Sequence, residues 1–180
     1  MFTSRRIVIA VGAASLVACA AQAPSRQPAF GGAVSAEEIA RWDISIPPSG
    51  AGLPAGSGTA KQGAAVYGAK CLACHGEKGA GKPADVLVGG IGSLATARPV
   101  RTVGSYWPYA TTLFDYVRRA MPITNPLSLS DDEVYAVSAY VLFLNGIVGE
   151  DAVMNAQTLP QVKMPNRDGF VSDWPPRGRN

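Results

Sequence analysis

The sequence is organised around the stretch Cys71-Leu72-Ala73-Cys74-His75-Gly76. Its two thiols are three residues apart, so on a helical turn they lie on the same face. The one histidine of the chain follows the second thiol directly. A glycine comes next and lets the backbone turn without a Cβ in the way. We therefore expect two thiols and one imidazole to face the same space.

This C-x-x-C-H spacing is typical of covalent c-type haem attachment. Each thiol forms a thioether with one vinyl group of the porphyrin, and the imidazole is then held beneath the iron as the proximal ligand. The residues thus predict that Cys71 and Cys74 bind one haem c covalently and that His75 is an axial iron ligand.

Two other uses of the motif fit less well. A structural zinc site needs about four nitrogen or sulfur ligands, and outside the motif the chain offers Cys19 and no second histidine. A thioredoxin-like redox pair needs a βαβ context, whereas the flanks of this motif have helical character.

Length and composition set the frame for the motif. The chain has 180 residues with 47% hydrophobic content, which predicts one domain with its own core. The formal charge is +3, and it falls to +1 if Arg5 and Arg6 leave with a signal segment. Such a balance is not the basic footprint of a nucleic-acid-binding protein. The 20 glycines and 14 prolines indicate that much of the chain is loop.

Residues 1–23 are predicted to be a signal peptide. Arg5-Arg6 precedes an apolar run, residues 7–18, that is too short to span a bilayer as a mature helix. Leu16-Val17-Ala18-Cys19 resembles a bacterial lipobox, which implies cleavage before Cys19 and a lipid on its thiol. Ala21-Gln22-Ala23 instead fits cleavage after Ala23. Either way the sequence predicts a periplasmic protein, soluble or lipid-anchored.

The rest of the chain is expected to form three parts. Residues 24–58 are an N-terminal extension with a short helix, which starts at the capping box Ser35 to Glu38, and a Pro- and Gly-rich linker. Residues 59–147 are the haem domain. Residues 148–180 form an irregular tail that either wraps the domain or reaches a partner. We expect it to reach a partner, because Met154, Met164, Phe170 and Trp174 are residue types that anchor interfaces.

Three helices are predicted within residues 59–147. The first starts at the capping box Thr59 to Gln62 and runs into the haem motif, with Gly63, Tyr67 and Cys71 on one face. The second spans about residues 111–120. The third begins at Ser130 and ends at Asn145, with Gly146 as its stop. In the loop between the first two, the Pro83 carbonyl is a candidate acceptor for the His75 ring, although simple stiffening of the loop also explains Pro83.

Aromatic and basic residues flank the second helix. Trp107 and Tyr109 are candidates for bonding to a haem propionate, although burial alone also accounts for them. Arg118 lies in the last turn of the helix, where a cation suits the dipole, and it is a further candidate for the propionates or for an acidic partner.

The sixth iron ligand cannot be a histidine, because the chain has no second one. A methionine, a weaker donor such as Lys or Tyr, or an open position remains. Pro122 disfavours a helical conformation at Met121, which frees this thioether to point at the iron. Met154 and Met164 are the alternatives, but they follow the last predicted helix. We therefore expect Met121 to be the second axial ligand.

These features resemble a class I cytochrome c over residues 59–147. The resemblance rests on the haem motif, on Met121-Pro122 before a final helix, and on Gly63, Tyr67 and Tyr140 at the helix crossing. It implies an all-α fold with three to five short helices around one covalently bound haem, flanked by irregular N- and C-terminal extensions.

A narrower resemblance covers more of the chain. Gly89 to Leu94 (GGIGSL), Thr102 to Pro122 (TVGSYWPYATTLFDYVRRAMP) and Met164 to Phe170 (MPNRDGF) are similar to cytochrome subunits of bacterial sulfite and sulfane dehydrogenases. Some cytochromes of that group carry two haems, whereas this chain has one motif. The resemblance implies an electron-transfer protein that is not itself an enzyme. Its donor would be a molybdopterin-containing subunit and its acceptor another cytochrome or an oxidase. A free or lipid-anchored respiratory carrier, and a haem enzyme or gas sensor with an open iron site, are the alternatives.

Overall fold

The computed structural model describes residues 31–171, which form short helices with little strand. It divides into two compact units, with the boundary between Asp43 and Ile44. The sequence pattern predicts a later boundary, at residue 58, because the Pro- and Gly-rich run before it has no regular period. In the structure Ile46 is 6% exposed and belongs to the core of the second unit. The second unit therefore begins where side chains start to contribute to its core, although these residues lie outside any helix or strand.

The first unit contains helix α1, Ala36–Trp42. The hydroxyl of Ser35 accepts a hydrogen bond from the Glu38 amide at 3.1 Å, as its cap predicts. No residue of α1 is buried. The predicted signal peptide and Cys19 lie outside the described residues.

The second unit is built on the crossing of helix α2, Ala60–Lys70, with helix α6, Asp131–Leu144. Both begin with the predicted capping boxes. A Cβ added to Gly63 would overlap the carbonyl oxygen of Ala136, so only glycine allows this approach. Beside it the rings of Tyr67 and Tyr140 pack with centroids 5.3 Å apart. The predicted crossing is confirmed.

Three further α-helices belong to the second unit. Helix α3, Leu72–His75, carries the haem motif directly after α2. Helix α4, Val103–Tyr106, was not predicted; its capping box joins Thr102 to Ser105. Helix α5, Ala110–Ala120, agrees with the prediction and packs on α6 through Phe114, whose ring lies 4.4 Å from that of Tyr135 between centroids.

The C-terminal tail folds back onto the helices. Strand β2, Met154–Asn155, pairs antiparallel with strand β1, Ser57–Gly58. A short 3-10 turn, Leu159–Gln161, follows and packs on α5. These two contacts close the tail over the side of the unit.

The prediction that Met154 and Met164 anchor a partner is wrong. They are 4% and 1% exposed, and with the fully buried Leu159 they belong to the chain's own core. Apolar residues of a segment without helical period are free to fill gaps between helices, which periodicity does not reveal. Phe170 stays 51% exposed and packs edge-on against Tyr106. Trp174 lies outside the described residues.

Within residues 31–171, no helix combines the length and the apolar character that crossing a membrane requires.

Candidate haem site

A cavity of about 510 Å³ opens between the helices of the second unit. This volume lies within the range of roughly 300–1,000 Å³ that is usual for cofactor pockets. Its walls are mostly apolar and come from α2, α5, α6 and the loop before α4. All four residues that the sequence predicts as haem attachments and iron ligands line it: Cys71, Cys74, His75 and Met121.

The two thiols lie at the junction of α2 and α3. Cys71 is both the C-terminal cap residue of α2 and the N-terminal cap residue of α3, with φ −123° and ψ −33°. Its carbonyl accepts hydrogen bonds from the Cys74 and His75 amides. Neither cysteine forms a disulfide bond within residues 31–171. Burial raises the pKa of the Cys71 thiol to about 11, and the neighbouring Cys74 adds to this. Both side chains are therefore available as thiols for covalent attachment.

His75 is held by a backbone carbonyl, although not by the predicted one. Its Nδ1 lies 3.0 Å from the carbonyl oxygen of Asp85, and Pro83 is not the partner. The reason is the fold of the intervening loop. The Ala84 amide donates to the Cys74 carbonyl at 2.9 Å, which brings the following peptide to the ring. If Nδ1 carries the proton, Nε2 keeps the lone pair that binds a metal.

The turn after His75 is fixed by two further residues. Gly76 has φ +70°, and a Cβ added there would lie 2.5 Å from the Gly81 carbonyl oxygen. The hydroxyl of Tyr67 donates to the Gly76 carbonyl at 2.8 Å. Chiefly because of burial, the pKa of this phenol is raised, so it stays a donor at neutral pH. The sequence pattern assigned Tyr67 to the helix crossing and missed this second contact.

Met121 lies where α5 ends. Its backbone is extended, with φ −117° and ψ 143°, as the following proline predicts. The side chain lines the cavity, whereas Met154 and Met164 are not part of the cavity lining. Of the three candidate thioethers, the structure therefore brings only Met121 to the thiols and the imidazole.

The predicted haem-environment residues separate into two groups. Trp107 lines the cavity and packs edge-on against Tyr116, with ring centroids 5.7 Å apart. Tyr109 is outside the lining. The guanidinium of Arg167 lies over the Tyr109 ring, 4.4 Å from the ring centroid. Arg118 is also outside the lining and forms an ion pair with Asp131 at 3.2 Å.

Arg101 is a cavity residue that the sequence analysis missed. It lines the cavity, and its guanidinium lies 5.5 Å from the centre of the Tyr106 ring. It takes part in none of the four salt bridges found among the described residues. Lys70 also lines the cavity, but its amine is bonded to Glu133 at 3.0 Å. No local pattern distinguishes Arg101, because its role depends on the fold of the loop before α4.

This set of groups fits a haem. Two thiols match two vinyl groups, and an imidazole and a thioether match the two axial positions of iron. The Arg101 guanidinium, which has no acidic partner within residues 31–171, matches a propionate carboxylate. The apolar walls suit the porphyrin, whose largest surface is its flat ring.

Comparison with known proteins agrees with the geometry. The family model described as "Cytochrome C oxidase, cbb3-type, subunit III" matches residues 58–141. The structure also matches a chain in the crystal structure of the sulfane dehydrogenase SoxCD from Paracoccus pantotrophus. The sequence identity is 42%, the TM-score is 0.75, and the match covers 82% of this chain and 73% of that chain. No curated protein matches.

The chain therefore belongs to the c-type cytochromes, and the relative that it matches places it among those of the Sox type. The all-α class I cytochrome c fold is confirmed. Its cofactor is a covalently bound haem c, and its role is electron transfer and not catalysis.

Proposed function

We propose that this chain accepts electrons, as a subunit or partner, from a molybdenum-dependent dehydrogenase that oxidises sulfite or a related sulfur compound. The observation that carries the proposal is the 42% identity to a chain of the sulfane dehydrogenase structure over 82% of this chain. That match extends well beyond residues 58–141, to which the general cytochrome model is limited. Segments that surround the haem domain are thus shared with a protein of sulfur oxidation.

The proposal includes the site of action. The chain is exported by residues 1–23 and works in the periplasm, either tethered through a lipid on Cys19 or released after Ala23. There it passes each electron to another cytochrome or to an oxidase. The support is the charged and apolar pattern of the N-terminus, together with a cofactor that is attached outside the cytoplasm.

We assign the haem-holding roles as follows. Cys71 and Cys74 would form the two thioethers, and His75 and Met121 would bind the iron. Arg101 would hold a propionate, and Trp107 is part of the cavity wall. When bound, the haem supplies a one-electron couple, and the protein's part is to exclude water and keep the two ligands in place.

The ligand assignment is tested by one substitution and a matched control. We expect Met121→Ala to abolish the sulfur-to-iron charge-transfer band of the oxidised protein and to lower the reduction potential, because a thioether stabilises ferrous iron. Met164→Ala is the control, since that methionine is buried elsewhere. A band that survives in Met121→Ala and is lost in Met164→Ala would overturn the assignment.

The electron donor is proposed to dock at the loop of residues 122–129, which follows Met121. Ile123 lines the cavity and is 72% exposed, and Leu127 is 62% exposed. Leu127 also has φ +61°, a left-handed conformation that costs a residue with a Cβ roughly 1–2 kcal/mol. The loop carries no charged side chain. Exposed apolar groups in a strained loop beside a cofactor are typical of a protein interface.

Docking is tested with stopped-flow reduction by the purified dehydrogenase and its sulfur substrate. We expect the double variant Ile123→Ser, Leu127→Ser to be reduced at least about tenfold more slowly, which corresponds to roughly 1.4 kcal/mol. Its sulfur-to-iron charge-transfer band should be retained, because Met121 is unchanged. Val153→Ser removes an apolar side chain that is 47% exposed and outside the cavity lining, and it should leave the rate unchanged.

Equal rates for the double variant and the wild type would contradict docking at this loop. Purification of the native cytochrome without any larger subunit, together with no reduction by the dehydrogenase, would instead support a free or lipid-anchored respiratory carrier.

A further inference from the structure

Asn145 is a buried polar residue at the end of α6, opposite the end that begins beside the Met121 loop. It is 8% exposed and follows the last helical residue. Burying an amide is unfavourable unless its donors and acceptor are all used. Its hydrogen bonds therefore indicate what it is for.

The amide of Asn145 makes three hydrogen bonds, and two of them leave the helix. Its Nδ2 donates to the Val141 carbonyl at 2.9 Å, which satisfies the helix end. The same nitrogen donates to the Leu87 carbonyl at 3.2 Å, and Oδ1 accepts from the Gly89 amide at 3.1 Å. A C-terminal cap needs only the first bond. The other two hold the chain on both sides of Val88.

The segment that Asn145 holds is the one that reaches the imidazole. Leu87 lines the cavity, and two residues before it the Asp85 carbonyl lies 3.0 Å from Nδ1 of His75. The Leu87 amide is tied to the Gly79 carbonyl at 2.8 Å. The short run from Asp85 to Leu87 is thus fixed at the imidazole and at the Asn145 amide.

The Asn145 side-chain amide occupies the space that a side chain at the neighbouring Gly104 would take. A Cβ added to Gly104 in α4 would overlap Oδ1 of Asn145. The Gly104 helix and the Gly89 segment are joined at the same place, where the Thr102 hydroxyl donates to the Gly89 carbonyl at 2.6 Å. Three segments of the chain therefore meet at Asn145.

We infer that Asn145 is a positioning residue for His75, which holds the 85–89 segment so that the Asp85 carbonyl keeps its hydrogen bond to the imidazole. The inference rests on the proposed role of His75 as iron ligand. A carbonyl bonded to the ring N–H fixes its orientation and increases the basicity of the other nitrogen. A more basic imidazole favours ferric iron, so loosening the segment raises the reduction potential.

The inference is tested on the haem-loaded protein with Asn145→Ala. We expect a shift of the midpoint potential to a higher value in a spectroelectrochemical titration. We also expect faster hydrogen exchange at the Gly89 amide, which loses its acceptor. The control is Ser130→Ala, which removes the cap at the other end of the same helix and makes no contact with the segment. It should leave both readouts unchanged.

If Asn145→Ala does not assemble with haem, Asn145→Ser is measured instead. Its hydroxyl is able to cap the Val141 carbonyl but is too short to reach Leu87, so the same shift is expected. An unchanged potential in the assembled variant, or an equal shift in Ser130→Ala, would overturn the inference and leave Asn145 as a helix cap. No partner protein enters this measurement, so its outcome is independent of whether the proposed dehydrogenase reduces the chain.

Discussion

One side of the haem cavity is formed by helices α2, α5 and α6, which pack through apolar side chains; we call this the helical wall. Another part of the lining comes from residues 84–103, which we call the loop wall and which contain no helix before α4. Within the helical wall, α2 and α6 cross at Gly63, where their backbones are in contact. The loop wall is held by buried polar groups, chiefly Asn145 and the capping box of Thr102. The first kind of wall depends on shape, and the second depends on individual hydrogen bonds.

The sharpest way to break the helical wall is Gly63→Ala. The added methyl would overlap the Ala136 carbonyl, and a backbone atom cannot move aside as a side chain does. We expect the loss of stability to exceed about 3 kcal/mol, the upper end of what overpacking usually costs. Gly68→Ala in the same helix meets nothing within 4 Å, so it should stabilise the helix by up to about 1 kcal/mol. Denaturant unfolding of both variants checks the contrast, and similar effects for the two would contradict it.

The C-terminal tail packs on α5 of the helical wall, and Leu159→Ala measures how much this packing contributes to stability. Leu159 is fully buried in the turn that packs on α5. We expect a loss of about 3 kcal/mol in the free energy of unfolding, as for other buried leucines. The haem spectrum should stay unchanged because the residue is outside the cavity lining. Val153→Ala, at an exposed position of the same tail, should cost less than about 0.5 kcal/mol. An unchanged free energy of unfolding in Leu159→Ala would contradict this contribution of the tail.

The loop wall is tested by comparing two capping boxes of the same type. Thr102 is 3% exposed, and besides its cap it donates to the Gly89 carbonyl. We expect Thr102→Val to cost about 2 kcal/mol, because the buried hydroxyl loses both its bond to the Gly89 carbonyl and its cap of the Ser105 amide. Thr59→Val removes the corresponding cap of α2 at a position where water can replace it, and it should cost about 1 kcal/mol. Thermal unfolding of the two variants decides, and equal costs would show that the loop wall does not depend on its polar bonds.

The smallest expected effect concerns pH and the segment that precedes α2. Burial alone would raise the pKa of Asp115, but hydrogen bonds from Arg119 and from the Ile46 amide hold it below its ordinary value. A lowered pKa in the folded state stabilises the protein above the ordinary value of about 4, and this contribution is lost as the pH falls through the lowered pKa. We expect Asp115→Asn to cost about 1 kcal/mol at pH 7 and nothing below the folded-state pKa. The matched control is Asp151→Asn at an exposed position, which should cost less than about 0.5 kcal/mol at pH 7. Unfolding of both variants is measured across this pH range.

The helical wall was largely predictable because its determinants are local. Capping boxes at Thr59 and Ser130 and the spacing of Gly63, Tyr67 and Cys71 depend on residues three or four apart, and the structure confirms them. Met121 was predicted to be extended from the proline after it, and it is. The loop wall was not predictable in this way, because Asn145 and Leu87 are far apart in the chain. Their pairing exists only once α6 and the haem loop are folded.

By itself the sequence determined the chemistry of this protein: two thiols and an imidazole at one helical junction, a thioether ahead of a proline, and the helices that bring them near each other. Short-range geometry is sufficient for all of these, since each depends on a few neighbouring residues. Only the tertiary structure decided that Asp85 and not Pro83 bonds the imidazole, and that Arg101 and not Arg118 faces the cavity. It also decided that Met154 and Met164 fill the core. The physical reason is that burial and hydrogen-bond pairing depend on which segments meet in space, and local patterns do not contain that information.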